Sequence, residues 1–199
     1  MNATPLPLLV FAGSTRAQSH NRRLAQVAAD AGRAAGAQVT VLDLADHELP
    51  LYNADLEARG TPEAARRLKG IFHAHPAWVI CSPEYNGSYT ALLKNTIDWV
   101  SSPIKGDPEW SSGTKPFAGK VVGLLSASPG ALGGLRSLSH LAPLLLNLQC
   151  WVTPKQYALG KAGEAFDDKG QLISGLAHAA VQGVVEQTLR AARQLNTPV

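Results

Sequence analysis

Five short apolar runs, each rich in β-branched or aliphatic residues, punctuate the chain at 8–12, 39–42, 78–81, 121–125 and 150–152. Most are continuous rather than alternating, as in strands buried on both faces of a parallel sheet. Between them the apolar spacing becomes helical. Leu24, Val27, Ala28 and Ala31 share one stripe of a first helix that stops near Gly36. A second opens at Thr61-Pro62, with Thr61 as N-cap and Pro62 at the first helical position, and runs to about Phe72. A third begins near Ser88 and carries Leu93, Ile97 and Val100 beside Leu92, Thr96 and Trp99. So wide a face predicts cover from two sides, the sheet and a second subunit. A fourth follows Gly133-Gly134 with Leu135, Leu138, Leu141 and Leu145 in register, and Pro143 predicts a kink or break within it. The last, roughly 176–195, places Ala177, Val181, Val184, Val185, Thr188 and Ala192 on one face.

Strand and helix alternate five times. The pattern predicts an α/β fold, a doubly wound five-stranded parallel sheet of order 2-1-3-4-5 with helices on both faces, in a single domain over 1–199. Ligands of such sheets bind beyond the carboxyl ends of the strands, which directs attention to the loops after strands 1, 3 and 4.

The first loop, Gly13-Ser14-Thr15-Arg16-Ala17-Gln18-Ser19-His20-Asn21, leads into a helix. Helix-terminal N–H groups, the Ser14, Thr15 and Ser19 hydroxyls, the Asn21 amide and Arg16 can together hold an anion. Both G-x-x-x-x-G-K-[ST] and G-x-G-x-x-G are absent, so a phosphate monoester fits better than a nucleoside triphosphate. A polar surface turn with an ordinary cap would read similarly. The second loop, Ser82-Pro83-Glu84-Tyr85-Asn86-Gly87-Ser88-Tyr89, offers a flat aromatic face, polar groups at the rim and a glycine permitting positive φ. It suits a planar heteroaromatic ring, or else a turn whose Tyr packs on a neighbour.

The third loop, Ser126-Ala127-Ser128-Pro129-Gly130-Ala131-Leu132-Gly133-Gly134, lets a ligand approach the backbone. It also supports a rival reading. Ser126-x-Ser128-x-Gly130 nearly matches the G-x-S-x-G nucleophile elbow, with Asp167 or Asp168 and then His178 following in hydrolase order. Against this, Ser126 stands where the strained elbow wants Gly, and His178 falls in mid-helix.

Composition narrows the classes. The net charge is +3, without basic runs or aromatic-basic interleaving, which argues against nucleic acid. No stretch approaches the ~20 apolar residues of a membrane span, and the N-terminal segment lacks a signal peptide's basic start. Cys81 and Cys150 each sit in an apolar run and read as buried thiols of a reducing compartment. The expectation is a soluble, cytoplasmic protein. Metal-ligand spacing is absent. Trp78, Trp99 and Trp151 read as core, whereas Trp110 lies in a Ser/Pro/Gly-rich segment, 101–118, suited to covering a ligand or a subunit contact.

GSTRxxSxN after the first strand, SPEYNGSYTALLKNTIDW after the third and SxSPGxxGG after the fourth make nearly the whole chain resemble the NAD(P)H-dependent FMN reductases. This flavodoxin-like family includes chromate, quinone and azo reductases. The resemblance implies that Ser14, Arg16, Ser19 and Asn21 hold the FMN phosphate, with Thr15 in the same loop. It implies that Pro83, Glu84, Tyr85, Asn86, Gly87 and Ser88 line the isoalloxazine and that Ser128, Gly130 and Gly133 close the other rim. It further implies a homodimer, often paired into a homotetramer. Thr90 stands where many relatives carry proline. On this reading NADPH or NADH reduces FMN, and a small-molecule acceptor (quinone, azo compound, metal oxyanion or flavin) takes the electrons. Backbone N–H groups of residues 86–88, at the start of the third helix, would stabilise the charge on the ring, and no side-chain acid or base is required. A flavodoxin-type electron carrier that does not oxidise NAD(P)H is the alternative.

Overall fold

In the computed structural model, which describes residues 5–196, every predicted apolar run forms a strand. The order is β1 (Pro7–Ala12), α1 (His20–Ala34), β2 (Gln38–Leu42), a short α2 (Ala54–Ala58), α3 (Glu63–Ala74), β3 (Ala77–Cys81), α4 (Ala91–Ser101), β4 (Val121–Ala127), α5 (Leu135–Asn147), β5 (Trp151–Val152), β6 (Tyr157–Leu159) and α6 (Gly175–Leu195). The strands run parallel in the order β2-β1-β3-β4-β5, and β6 also pairs with β4. The sheet therefore has six strands, not five. β5 lies against the start of β4, pairing Val121 with Trp151, and β6 against its end, pairing Ala127 with Leu159. Pro154 falls between them, where a missing N–H favours an interruption of the ladder.

The period of two along the strands builds two cores. Leu8, Val10, Val79, Cys81 and Leu125 pack beneath α1 and α6. Leu9, Phe11, Trp78, Ile80, Val122 and Leu124 pack beneath α3, α4 and α5. No helix among the described residues is long and apolar enough to cross a membrane.

Several local expectations need correction. Pro62, not Thr61, is the N-cap of α3: it is extended at ψ 141° and no side chain caps the helix. α4 starts at Ala91 rather than Ser88, because residues 85–88 are used in a tight turn. Pro143 does not break α5, which continues to Asn147. Leu135 in the first turn of α5 points to solvent. α4 also receives cover from its own chain: Trp99 Nε1 donates to the Pro50 carbonyl at 2.8 Å, and Tyr52 meets the Trp99 ring edge-on. Trp151 is 58% exposed on the two-residue β5. Trp110 is buried instead, edge-on to His73 with the Lys115 ammonium over its ring. Cys81 and Cys150 are free and buried. Burial pushes both thiols up, Cys150 to about 12, so neither is a ready nucleophile.

Candidate functional site

The loops after β1, β3 and β4 converge on one cleft, walled by Ser14, Arg16, Ser19, His20 and Asn21, by Pro83, Glu84 and Tyr85, and by Ala127, Ser128 and Pro129. A second hollow shares Ser14, Arg16 and Tyr85 and continues over Thr90 and Leu92 at the start of α4. The predicted loops thus meet where the winding of the sheet reverses.

On the first wall, Ser19 is the N-cap of α1 and is buried, yet its hydroxyl caps nothing. The first intrahelical bond runs from Arg23 N–H to the Ser19 carbonyl, which leaves the N–H groups of His20, Asn21 and Arg22 without helical partners. The Ser14 hydroxyl accepts from Arg16 N–H at 3.3 Å and shapes the loop. Thr15 and Arg16 are exposed. An uncapped helix terminus, an unused buried hydroxyl and a guanidinium form the donor set of a phosphate site.

Asn21 departs from the expectation. Its amide donates to the Ala127 carbonyl at 2.8 Å and accepts from Ala127 N–H at 2.9 Å. The side chain fastens α1 to the end of β4 and leaves only one amide proton for a ligand.

The second wall is a tight turn. Tyr85 and Ser88 exchange two backbone bonds, of 2.9 and 3.1 Å, across Asn86 and Gly87. Both central residues have positive φ, 51° and 81°, as a type I′ turn demands, and glycine meets that demand without strain. The Ser88 N–H, expected to face the ring, is therefore spent inside the turn. The Asn86 and Gly87 N–H groups make no backbone bond among the described residues. The Ser88 hydroxyl lies 3.1 Å from His140 Nδ1. Glu84 is committed too. Its carboxylate accepts from Arg136 Nε at 2.7 Å and from Arg136 N–H at 3.1 Å, so it caps the start of α5 from the cleft wall. Tyr85 is 57% exposed.

Thr90 is no neutral replacement for proline. Its hydroxyl donates to the Gly13 carbonyl at 2.7 Å and accepts from Leu93 N–H at 3.2 Å. One side chain caps α4 and clamps the first loop to the second.

On the third wall, the Ser128 hydroxyl accepts from Gly130 N–H at 3.3 Å while Ser128 N–H donates to the Leu159 carbonyl. Gly130 is open. Gly133 is not at the rim: a β-carbon there would stand 2.6 Å from the backbone of residues 158–160, so this glycine faces β6. The hydrolase constellation does not assemble. His178 lines a groove with Asp30 and Glu186 between α1 and α6, and Asp167 accepts from Lys169 and Gln171 N–H within its own turn. Among the described residues no group of three or more His, Cys, Asp or Glu side chains could hold a metal.

His20 and Arg136 received no role from the sequence, and Thr90 was noted there only as a replacement for proline. Thr90 carried a signal, a threonine directly before an apolar helical run. His20 sat inside the GSTRxxSxN motif, at a position the motif leaves open. Nothing local marked Arg136, whose role depends on Glu84, 52 positions earlier.

The family described as NADPH-dependent FMN reductase matches residues 6–164. A quinone reductase of Pseudomonas putida is 35% identical over 165 residues, covering 82% of each chain. An NAD(P)H-dependent FMN reductase of Pseudomonas aeruginosa is 34% identical over 178 residues, 89% of this chain and 90% of its own. Among solved structures, a flavoenzyme NAD(P)H:(acceptor) oxidoreductase of Paracoccus denitrificans superposes with a TM-score of 0.80 at 27% identity, covering 95% of this chain and 98% of that one.

Proposed function

Because the chain belongs to the NADPH-dependent FMN reductase family, we propose that its three-loop cleft holds FMN and serves electron transfer from NAD(P)H to quinones and related small acceptors. The observation that carries this placement is the donor set at α1. Three free N–H groups, the idle Ser19 hydroxyl and the exposed Arg16 stand one loop away from the turn bearing Asn86 and Gly87.

FMN held there would supply two-electron redox chemistry between NAD(P)H and the acceptor. The α1 terminus, Ser19 and Arg16 hold the phosphate, with charge-assisted hydrogen bonds doing most of the anchoring. Ser14 and Thr15 shape the loop beneath it. Asn21 and Thr90 act as positioning residues, one fixing α1 to β4 and the other fixing the first loop to α4. Pro83 and Tyr85 offer the ring an apolar wall. The Asn86 and Gly87 N–H groups would supply fixed donors to an electron-rich ring edge, and being fixed they need no reorganisation. Glu84 acts through Arg136, Ser88 through the turn it closes, and Ser128 with Gly130 borders the far rim. No side-chain acid or base enters this scheme.

We read residues 1–199 as one domain working as a homodimer or homotetramer. The exposed Leu135 and Leu146 of α5, with Leu132 just before it, support self-association. Steady-state NADPH oxidation by FMN-loaded protein, with a quinone as acceptor, tests the activity. Turnover of NADPH supports the reading. Protein that carries FMN yet exchanges no electrons with NADPH or NADH is an electron carrier and contradicts it.

A further inference from the structure

We infer that His20 is a proton-carrying contact for the FMN phosphate, so that FMN binding takes up a proton and tightens as pH falls through the neutral range. This inference rests on the phosphate placement proposed above and adds a residue that the motif leaves open.

His20 is the first residue of α1 and lines the same cleft as Ser14, Arg16 and Ser19. Its ring lies parallel to that of Phe166, with centroids 6.4 Å apart and planes within 8°, so the segment after β6 backs the imidazole with an apolar face. Nδ1 is buried and has no partner among the described residues. A buried polar atom left without a partner is destabilising and calls for an explanation. The residue that carries it lines the cleft that holds a donor set suited to an anion.

The surrounding charges determine what such an anion does to the ring. Burial first, then Arg16 from the loop and Arg23 from the same helix, hold the imidazole below its ordinary pKa. Asn21 next to it is committed to Ala127. No carboxylate forms an ion pair with His20 among the described residues. In the free protein the ring is therefore neutral at pH 7. A phosphate dianion reverses the local sign, offsets both arginines and favours the protonated ring. The pKa is thus raised in the complex, and the gain in affinity is present at low pH and lost as pH rises through the raised value. FMN opposes this trend, because its phosphate loses its second charge below about pH 6. The two effects have opposite signs, which makes them separable.

The test is the FMN dissociation constant, read from quenching of flavin fluorescence between pH 6.5 and pH 8.5. It compares wild type with His20→Gln and His20→Phe, using riboflavin as the probe that lacks the phosphate. Wild-type affinity for FMN should rise a few-fold from pH 8.5 to pH 6.5, since a shift of one unit from a free-state value below 6.5 gives at most about fivefold over this interval. Both variants should be flat or weaken over the same interval, and riboflavin should show no pH dependence in any protein. Calorimetric titration in two buffers of different protonation enthalpy should show proton uptake in wild type beyond that of either variant. Equal pH slopes in wild type and variants overturn the inference while leaving the FMN site intact. Wild-type protein that binds FMN no better than riboflavin overturns the phosphate placement and this inference with it.

Discussion

The side-chain amide of Asn21 makes both of its backbone hydrogen bonds to a single residue, donating to the Ala127 carbonyl at 2.8 Å and accepting from Ala127 N–H at 2.9 Å. Ala127 ends β4, so this pair closes the ladder where the strand stops and holds the first turn of α1 against it. Asn21→Ala leaves a buried donor and a buried acceptor unpaired, each costing about 1–3 kcal/mol. The expected loss is about 2 kcal/mol or more in urea denaturation, with weaker FMN binding, since the α1 terminus shifts. A variant of wild-type stability contradicts the assignment.

Thr90 makes the matching connection on the other side of the cleft. Thr90→Val keeps the volume and removes both the bond to the Gly13 carbonyl and the cap on Leu93 N–H. A cap loss of about 1–2 kcal/mol is expected, together with a several-fold weaker FMN complex. Thr90→Ser should restore both. Failure of serine to rescue FMN affinity would show that the methyl group, not the hydroxyl, positions the loop.

Two of the three glycines of the third loop, Gly130 and Gly133, should respond differently to a single methyl group. At Gly133, φ is 63° and an added β-carbon meets three backbone atoms at 2.6 Å. Backbone cannot move aside as a side-chain tip can, so Gly133→Ala should lower the melting temperature by several degrees. At Gly130 the nearest atom is Ser128 Oγ at 3.7 Å, and Gly130→Ala should leave stability within about 0.5 kcal/mol. Equal melting temperatures for the two variants contradict the packing of Gly133 on β6.

Lys69 is buried beneath the 101–118 segment, where its ammonium donates to the Val100 carbonyl at 2.8 Å and to that of Ser102. Burial pulls its pKa down to about 8, against 10.5 in the unfolded chain. Between these values the unfolded state binds the extra proton, so stability rises with pH from about 8 toward 10.5 and this contribution is flat below 8. Lys69→Met removes that slope. Urea midpoints from pH 7 to pH 10 provide the measurement, and identical slopes in wild type and variant would contradict the burial of a charge there.

Much of the fold was legible because β1, β3 and β4 are central strands, and strands covered on both faces leave uninterrupted apolar runs. β6 was not, since three residues after a proline give no period to read. Trp151 and Trp110 show the same limit from opposite directions. An apolar neighbourhood in sequence does not say whether a two-residue edge strand will be covered, and a polar loop can fold back over its own tryptophan. In the site, which loops meet followed from topology alone. What individual side chains do there was less visible. Asn21, Glu84 and Gly133 each matched the motif, yet long-range partners (Ala127, Arg136 and β6) occupy them. The geometry of the turn likewise spends the Ser88 N–H, which spacing alone could not reveal.

On the proposed placement, the α1 terminus and Arg16 anchor FMN by its phosphate. Fluorescence titration of wild type and Arg16→Ala with FMN and with riboflavin tests it most directly. Arg16 is exposed and its guanidinium spans no described ion pair, so its removal should leave the melting temperature unchanged. The FMN complex should weaken by about 1.5–3 kcal/mol, the scale of a charge-assisted hydrogen bond, with riboflavin binding unaltered. An Arg16→Ala protein that retains FMN as tightly as wild type contradicts it.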